Sequence, residues 1–101
     1  MMKYFIAKEA SQDLDEILDY FLVRNVNAGE RFIREFNKKS QNIAQFPNIG
    51  RSYAKLDPKT RGIPLDGYII FYRVFEDSVV IVRVVSGYRD LESIFADMDD
   101  E

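Results

Sequence analysis

Two long runs of β-branched and aromatic residues constrain the fold of this chain more than any other feature. Residues 68–75 (YIIFYRVF) and 79–85 (VVIVRVV) are separated only by the polar residues 76–78 (EDS). Such runs are typical of strands, and a short polar connection joins two of them as a hairpin. Because both runs are nearly continuously apolar, we expect the hairpin in the middle of a sheet. A helix pair should cover one face, and a partner or the C-terminal segment should partly cover the other.

The N-terminal half predicts one strand followed by two helices. Residues 3–8 (KYFIAK) mix aromatic and branched side chains and predict a short strand. Ser11 is predicted to cap the first helix. The apolar positions of this helix recur at the helical spacing and are Leu14, Ile17, Leu18 and Phe21. Asn27 with Glu30 resembles a capping box for a second helix that stops at Pro47, and the short turn between the helices predicts an antiparallel pair.

The remaining segments complete an α+β fold. Residues 51–66 contain Pro58 and Pro64 and predict short strands or irregular backbone. Residues 90–95 (DLESIF) predict one or two helical turns with an apolar face. The predicted order is an N-terminal strand, an antiparallel helix pair, a largely antiparallel sheet with a central hairpin, and a short C-terminal helix.

The length and composition bound the function. A chain of 101 residues fits one domain, which we assign to residues 1–96, followed by an acidic tail at 97–101. His and Cys are both absent, which removes the commonest general base, thiolate nucleophiles and zinc-thiolate sites. We therefore expect no metal and no cofactor, and any chemistry must use Arg, Lys, Tyr or carboxylates. No apolar run approaches the length of a membrane span, so we expect a cytoplasmic protein without a membrane partner. The net charge of −3 argues against a strongly basic nucleic-acid footprint.

An ordered set of short motifs extends over nearly the whole chain. The motifs are residues 13–20 (DLDEILDY), 28–32 (AGERF), Phe46-Pro47, Gly50-Arg51, Arg61, 68–73 (YIIFYR) and 87–90 (GYRD). In this order and spacing they resemble the RelE/ParE superfamily of type II toxin-antitoxin toxins, in its ParE-like branch. The resemblance implies a cognate antitoxin that wraps the toxin as helix and strand. It also implies a toxin-antitoxin hetero-oligomer that meets DNA only through the antitoxin.

The superfamily divides by target, and the resemblance leaves the target open. RelE-like toxins cleave mRNA on the ribosome, whereas ParE-like toxins inhibit DNA gyrase. A metal-free ribonuclease without His needs clustered cations and a Tyr or carboxylate for proton transfer. This chain keeps the arginine of the Gly-x-Arg motif as Arg89. It has Phe95 at the position of the RelE-like tyrosine, and Pro64 where a second arginine is expected.

Two sets of candidate residues follow from the two targets. For a nuclease they are Lys55, Arg61, Tyr88 and Arg89, with Lys59 as a second lysine and Tyr53 or Tyr72 as substitutes for the missing tyrosine. For gyrase binding they are Arg61, Arg73, Tyr88 and Arg89, because Arg and Tyr are enriched at interface hot spots.

Each candidate also has a simpler structural interpretation. Arg73 and Arg83 lie in predicted strands, where a cross-strand pairing with Glu or Asp is the alternative. Tyr68 and Tyr72 share the apolar hairpin and are expected in the core. A third functional possibility is a non-toxic family member that only binds its antitoxin.

Overall fold

The computed structural model describes residues 2–99, and side chains to residue 96. The elements in chain order are β1 (Lys3–Ile6), α1 (Lys8–Arg24), α2 (Val26–Gln45), β2 (Arg51–Ser52), β3 (Thr60–Leu65), β4 (Tyr68–Val74), β5 (Ser78–Ser86) and α3 (Leu91–Asp99). The sheet order is β1-β5-β4-β3-β2, in which β1 runs parallel to β5 and the other neighbours are antiparallel. The predicted α+β architecture is confirmed, with the short strand β2 resolved within the segment 51–66.

The start of α1 differs from the prediction at Ser11. The helix begins at Lys8, with Ala7 as an N-cap that has no side-chain hydrogen bond. The backbone N–H of Ala7 donates to the carbonyl of Ile81 at 2.9 Å, and the N–H of Ser11 donates to the carbonyl of Ala7 at 2.9 Å. The pairing of β1 with β5 therefore fixes where the helix starts, which no local capping pattern could indicate.

The start of α2 also differs from the prediction. Its N-cap is Asn25, whose side-chain oxygen accepts the backbone N–H of Ala28 at 3.1 Å. The predicted capping box of Asn27 and Glu30 is wrong, because Asn27 already lies in the first helical turn. The two helices are thus joined by a single residue. The predicted stop before Pro47 is confirmed, since α2 ends at Gln45.

The hairpin of β4 and β5 forms the centre of the sheet, as predicted. The preceding hairpin, between β3 and β4, turns through Asp66 (φ 49°) and Gly67 (φ 83°). Two positive φ angles are what a two-residue turn of type I′ requires, and Asp-Gly favours that turn. A register shift between Phe71 and Tyr72 leaves Val82 as the extra, unpaired residue on β5.

The sheet buries apolar side chains on both faces. The helix-covered face contains Ala10, Leu14, Ile17, Phe32, Phe36, Ile43, Leu65, Ile70, Tyr72, Val79, Ile81 and Val84. The opposite face contains Phe71, Val82, Val85, Ile94 and Phe95, with Tyr53 and Leu56 packed against them. Of the two expected coverings, a partner or the C-terminal segment, the C-terminal segment covers part of this second face.

Two further predictions from the sequence concern membrane spans and the acidic tail. Along residues 2–99, no helix has both the length and the apolar character needed to cross a membrane. The predicted acidic tail falls on residues 97–101. Its backbone continues α3 to Asp99, whereas the side chains of 97–101 and the whole of residues 100–101 lie outside the described residues.

Candidate functional site

The predicted site residues lie at two opposite ends of the sheet. At the α2–β2 end, β3 begins and β4 ends, and Thr60 pairs with Arg73. At the β5–α3 end, β4 begins and β5 ends, and Tyr68 pairs with Ser86. Five residue steps along β4 separate Tyr68 from Arg73, about 16 Å for a strand. The structure therefore places Arg61 and Arg73 at one end of the sheet, and Tyr88 and Arg89 at the other. Because Arg61 pairs with Tyr72 and Arg73 with Thr60, the two arginine side chains point to opposite faces of the sheet.

At the α2–β2 end, Arg61 and Tyr72 anchor the loop of residues 47–50. One terminal nitrogen (Nη1) of Arg61 donates to the carbonyl of Gly50 at 2.8 Å and to that of Asn48 at 3.4 Å. The Tyr72 hydroxyl donates to the carbonyl of Pro47 at 2.8 Å and accepts the Gly50 N–H at 2.8 Å. Arg61 thus has a structural role that the sequence analysis did not assign to it.

Gly50 is required for this arrangement. A Cβ atom at this position would lie 2.5 Å from the Tyr72 hydroxyl oxygen and 2.7 Å from its ring. The Tyr72 hydroxyl is held by two hydrogen bonds, so a simple side-chain movement could not relieve the clash. The Pro-x-x-Gly-Arg spacing of residues 47–51 was the sequence signal for this loop.

We expect Tyr72→Phe to destabilise the fold by about 1–3 kcal/mol, because the buried Gly50 N–H and Pro47 carbonyl both lose their partner. Burial raises the pKa of the Tyr72 hydroxyl above its ordinary 10.0, against weaker lowering by the Gly50 hydrogen bond and Arg61. The folded state therefore holds this proton to higher pH than the unfolded chain does. Its stabilisation is present below pH 10 and is lost as pH rises through the raised pKa.

Urea unfolding at a series of pH values measures both effects. The variant should be less stable at neutral pH, and the difference between the two proteins should shrink above pH 10. A difference that stays constant to high pH would contradict the assignment of the titration to Tyr72. Tyr4→Phe is the matched control, because Tyr4 is only partly buried and accounts for none of the described side-chain hydrogen bonds.

Arg73 is held in an ion pair. Its terminal nitrogen contacts the carboxylate of Asp57, and its Nε donates to the Thr60 hydroxyl at 3.2 Å. Asp57 and Thr60 are both buried. Arg73 is therefore paired with a carboxylate, but the predicted cross-strand partner is wrong, because Asp57 lies in the loop before β3. Its role in target binding stays a prediction.

Arg83 is also paired, in this case to α1. The Asp13 carboxylate accepts from Arg83 Nε at 2.7 Å and Nη2 at 2.9 Å, and from the backbone N–H of Val84 at 2.9 Å. The hydrogen bond to Asp13 raises the pKa of Arg83 further, and burial opposes this. Both oxygens of Asp13 are occupied, so the group fastens α1 onto β5.

The β5–α3 end presents two exposed side chains on a fixed backbone. The Gly87 N–H donates to the carbonyl of Gly67 at 2.9 Å, and the Arg89 N–H donates to that of Ser86 at 3.2 Å. Tyr88 is 95% exposed, and Arg89 is exposed. Among residues 2–96, Arg89 forms no ion pair. The role of these two side chains in target binding stays a prediction.

The structure does not assemble the candidate nuclease residues. Lys55, Lys59 and Arg61 lie in or beside the 53–61 segment, whereas Tyr88 and Arg89 lie at the β5–α3 end. Phe95 is 1% exposed and packs edge-on against Phe71, with ring centroids 4.9 Å apart. The two substitute tyrosines are also engaged: Tyr53 packs on Phe71 and Tyr72 holds the 47–50 loop. Within the described part of the chain, no group of three or more carboxylates could hold a metal ion.

Comparison with known proteins connects this geometry to a family. Residues 4–91 match the family model described as "ParE toxin of type II toxin-antitoxin system, parDE". The chain is 29% identical over 92 residues to Toxin ParE1 of Mycobacterium tuberculosis (strain CDC 1551 / Oshkosh), covering 89% of this chain and 94% of that protein. It is 28% identical over 80 residues to Toxin RelE3 of Caulobacter vibrioides, covering 78% and 87% respectively. A solved structure described as "Chromosomal ParDE TA system from P. aeruginosa" has the same fold, with a TM-score of 0.72 at 21% identity over 85% of this chain and 96% of that one.

Proposed function

Because the chain belongs to the family of ParE toxins of type II toxin-antitoxin systems, we propose that it inhibits DNA gyrase and is neutralised by a cognate antitoxin. The gyrase target follows from the ParE-like resemblance of the motifs. The observation that carries the proposal is the β5–α3 end, where Tyr88 and Arg89 project from a hydrogen-bonded turn. Tyr and Arg are the side chains that most often dominate protein interfaces.

The placement of the nuclease candidates supports gyrase inhibition over mRNA cleavage. Cleavage needs a base, an acid and cations around one phosphate, within hydrogen-bond reach of the reacting atoms. Here the cations of the 53–61 segment lie at one end of the sheet and Arg89 lies at the other. The two ends are about 16 Å apart along β4. Phe95 has no proton to transfer and is buried.

The antitoxin partner is supported by apolar surface that this chain leaves exposed. The tip of the helix pair exposes Leu22 and Val23, which are 68% and 81% accessible. The edge strand β1 exposes Phe5 and Ile6. Exposed apolar side chains and an open strand edge suit a partner that binds as helix and strand. The resulting hetero-oligomer acts in the cytoplasm and meets DNA only through the antitoxin.

We expect Tyr88→Ala and Arg89→Ala each to weaken gyrase inhibition by about tenfold or more, because truncating a hot-spot side chain costs at least 1–2 kcal/mol of binding. Both side chains are exposed, so the melting temperature should hardly change. The measurement is gyrase supercoiling against toxin concentration, with mRNA cleavage in translating ribosomes followed in parallel. Phe75→Ala and Arg34→Ala are matched controls, since both residues are exposed and lie away from the β5–α3 end.

Each pattern of results identifies a function. Lost supercoiling with intact mRNA supports the proposal. Cut mRNA with active gyrase would overturn it in favour of a RelE-like endonuclease. A wild-type protein that does neither but binds antitoxin is a non-toxic family member.

A further inference from the structure

The last turns of α1 bring a second Tyr-Arg pair to the β5–α3 end. Tyr20 is 50% exposed, and the guanidinium carbon of Arg24 lies 3.9 Å from the centre of its ring. Arg24 Nη1 also donates to the Tyr20 carbonyl at 3.3 Å. This stacking holds the tyrosine ring and the guanidinium in one orientation, which lowers the entropy cost of using them in an interface.

A groove separates this pair from the Tyr88-Arg89 turn. Tyr20 lines it from α1, Arg89 lines it from the segment after β5, and its volume is about 220 Å³. Its base is formed by the largely buried side chains of Ile17, Tyr68 and Val84. The groove is smaller than a typical small-molecule site of about 300–1,000 Å³ and suits a protein side chain instead.

The charges around the groove indicate which kind of partner fits. Among residues 2–96, neither Arg24 nor Arg89 forms an ion pair, so both guanidinium groups are available to carboxylates. Asp13 lies at the groove but is fully engaged by Arg83 and Val84. Glu16 also lines the groove and is exposed. The two arginines and Glu16 give the groove a mixed charge, which suits a protein segment with a single carboxylate better than a polyanion such as nucleic acid.

We propose that Tyr20 and Arg24 are target-binding residues, and that with Tyr88 and Arg89 they bracket a groove that receives an apolar side chain and an adjacent carboxylate of the target protein. The inference rests on the proposed function, because it extends the same target-binding site to a segment distant in sequence. Tyr20 and Tyr88 contribute the aromatic contacts, and Arg24 and Arg89 recognise the carboxylate.

The test uses the full chain with Tyr20→Ala and Arg24→Gln, and Phe75→Ala and Arg34→Gln as matched controls. Growth arrest after induction without antitoxin is one measurement, and gyrase supercoiling with purified protein is the second. We expect each test variant to lose about tenfold in inhibition, as interface hot spots do, and each control to stay near wild type. Tyr20→Phe should retain most of the activity because it keeps the ring that Arg24 stacks on. Thermal melting checks that the variants are folded, and antitoxin binding is measured as a separate readout.

The two measurements separate the inference from the proposed function. Test variants as active as the controls would overturn the inference while gyrase inhibition stands. Growth arrest with active gyrase would overturn gyrase as the target. The toxicity of the test variants would then still show whether the groove binds the target. Variants that keep toxicity but lose antitoxin binding would assign the groove to the antitoxin, which overturns the inference. A wild-type protein that neither arrests growth nor inhibits gyrase overturns both.

Discussion

Replacement of Asp13 by Ala is expected to destabilise the protein by about 3–5 kcal/mol, because it leaves the Arg83 guanidinium partly buried without its counter-charge. The Val84 N–H loses its acceptor at the same time. A domain of this size has a total stability of roughly 5–15 kcal/mol. The variant should therefore lose a large fraction of this stability, and it is partly unfolded at growth temperature if the wild type lies near the lower end of the range. Urea unfolding followed by circular dichroism measures the loss.

The neighbouring carboxylate provides the control. Asp15 is on the same helix but exposed, so Asp15→Ala should change the stability by less than about 0.5 kcal/mol. Equal losses at Asp13 and Asp15 would show that the effect comes from the charge on the helix and not from the Asp13–Arg83 ion pair. The double variant Asp13→Leu/Arg83→Met should recover part of the loss, since an apolar pair removes the unpaired charge.

Replacement of Phe95 by Ala is expected to cost a similar amount, about 3–5 kcal/mol for a large buried aromatic side chain. Phe95 is 1% exposed and contacts Phe71 edge-on. Its removal should release α3 from the sheet, because α3 supplies only a few apolar side chains to the second face. Hydrogen exchange is the measurement that resolves this, since amides of β4 and β5 should lose protection together with those of α3.

Ser93→Ala is the control for α3. Ser93 is exposed on the same helix, so its replacement should leave both stability and exchange close to wild type. A Phe95→Ala variant that is as stable as Ser93→Ala would mean that α3 is not part of the cooperative fold. The second face of the sheet would then be open to a partner in solution.

The stability of the sheet and the candidate site depend on different parts of the chain. Asp13 and Phe95 fix the two layers onto the central hairpin from opposite faces. Tyr88 and Arg89 contribute nothing comparable to the core and can be changed without unfolding the protein. This separation is what makes the functional variants interpretable.

Local patterns in the sequence determined the central hairpin, the two helices and the burial of the apolar positions. Residues 68–75 and 79–85 are nearly continuous apolar runs, and a central strand with both faces covered is what buries such a run. Pro47 stopped α2 because proline has no N–H to donate within a helix. The Asp66-Gly67 turn is also determined locally, since Asp-Gly is a strong hairpin pattern.

The tertiary structure decided what depended on contacts between distant residues. The start of α1 is fixed by Ala7 bonding to Ile81, and this overrode the capping preference at Ser11. Arg61, Arg73 and Arg83 each bond to a partner that lies 11 to 70 residues away along the chain. Tyr20 near the end of α1 and Arg89 after β5 line the same groove. A sequence pattern records the periodicity of each element, but which side chains meet is set by how the elements pack.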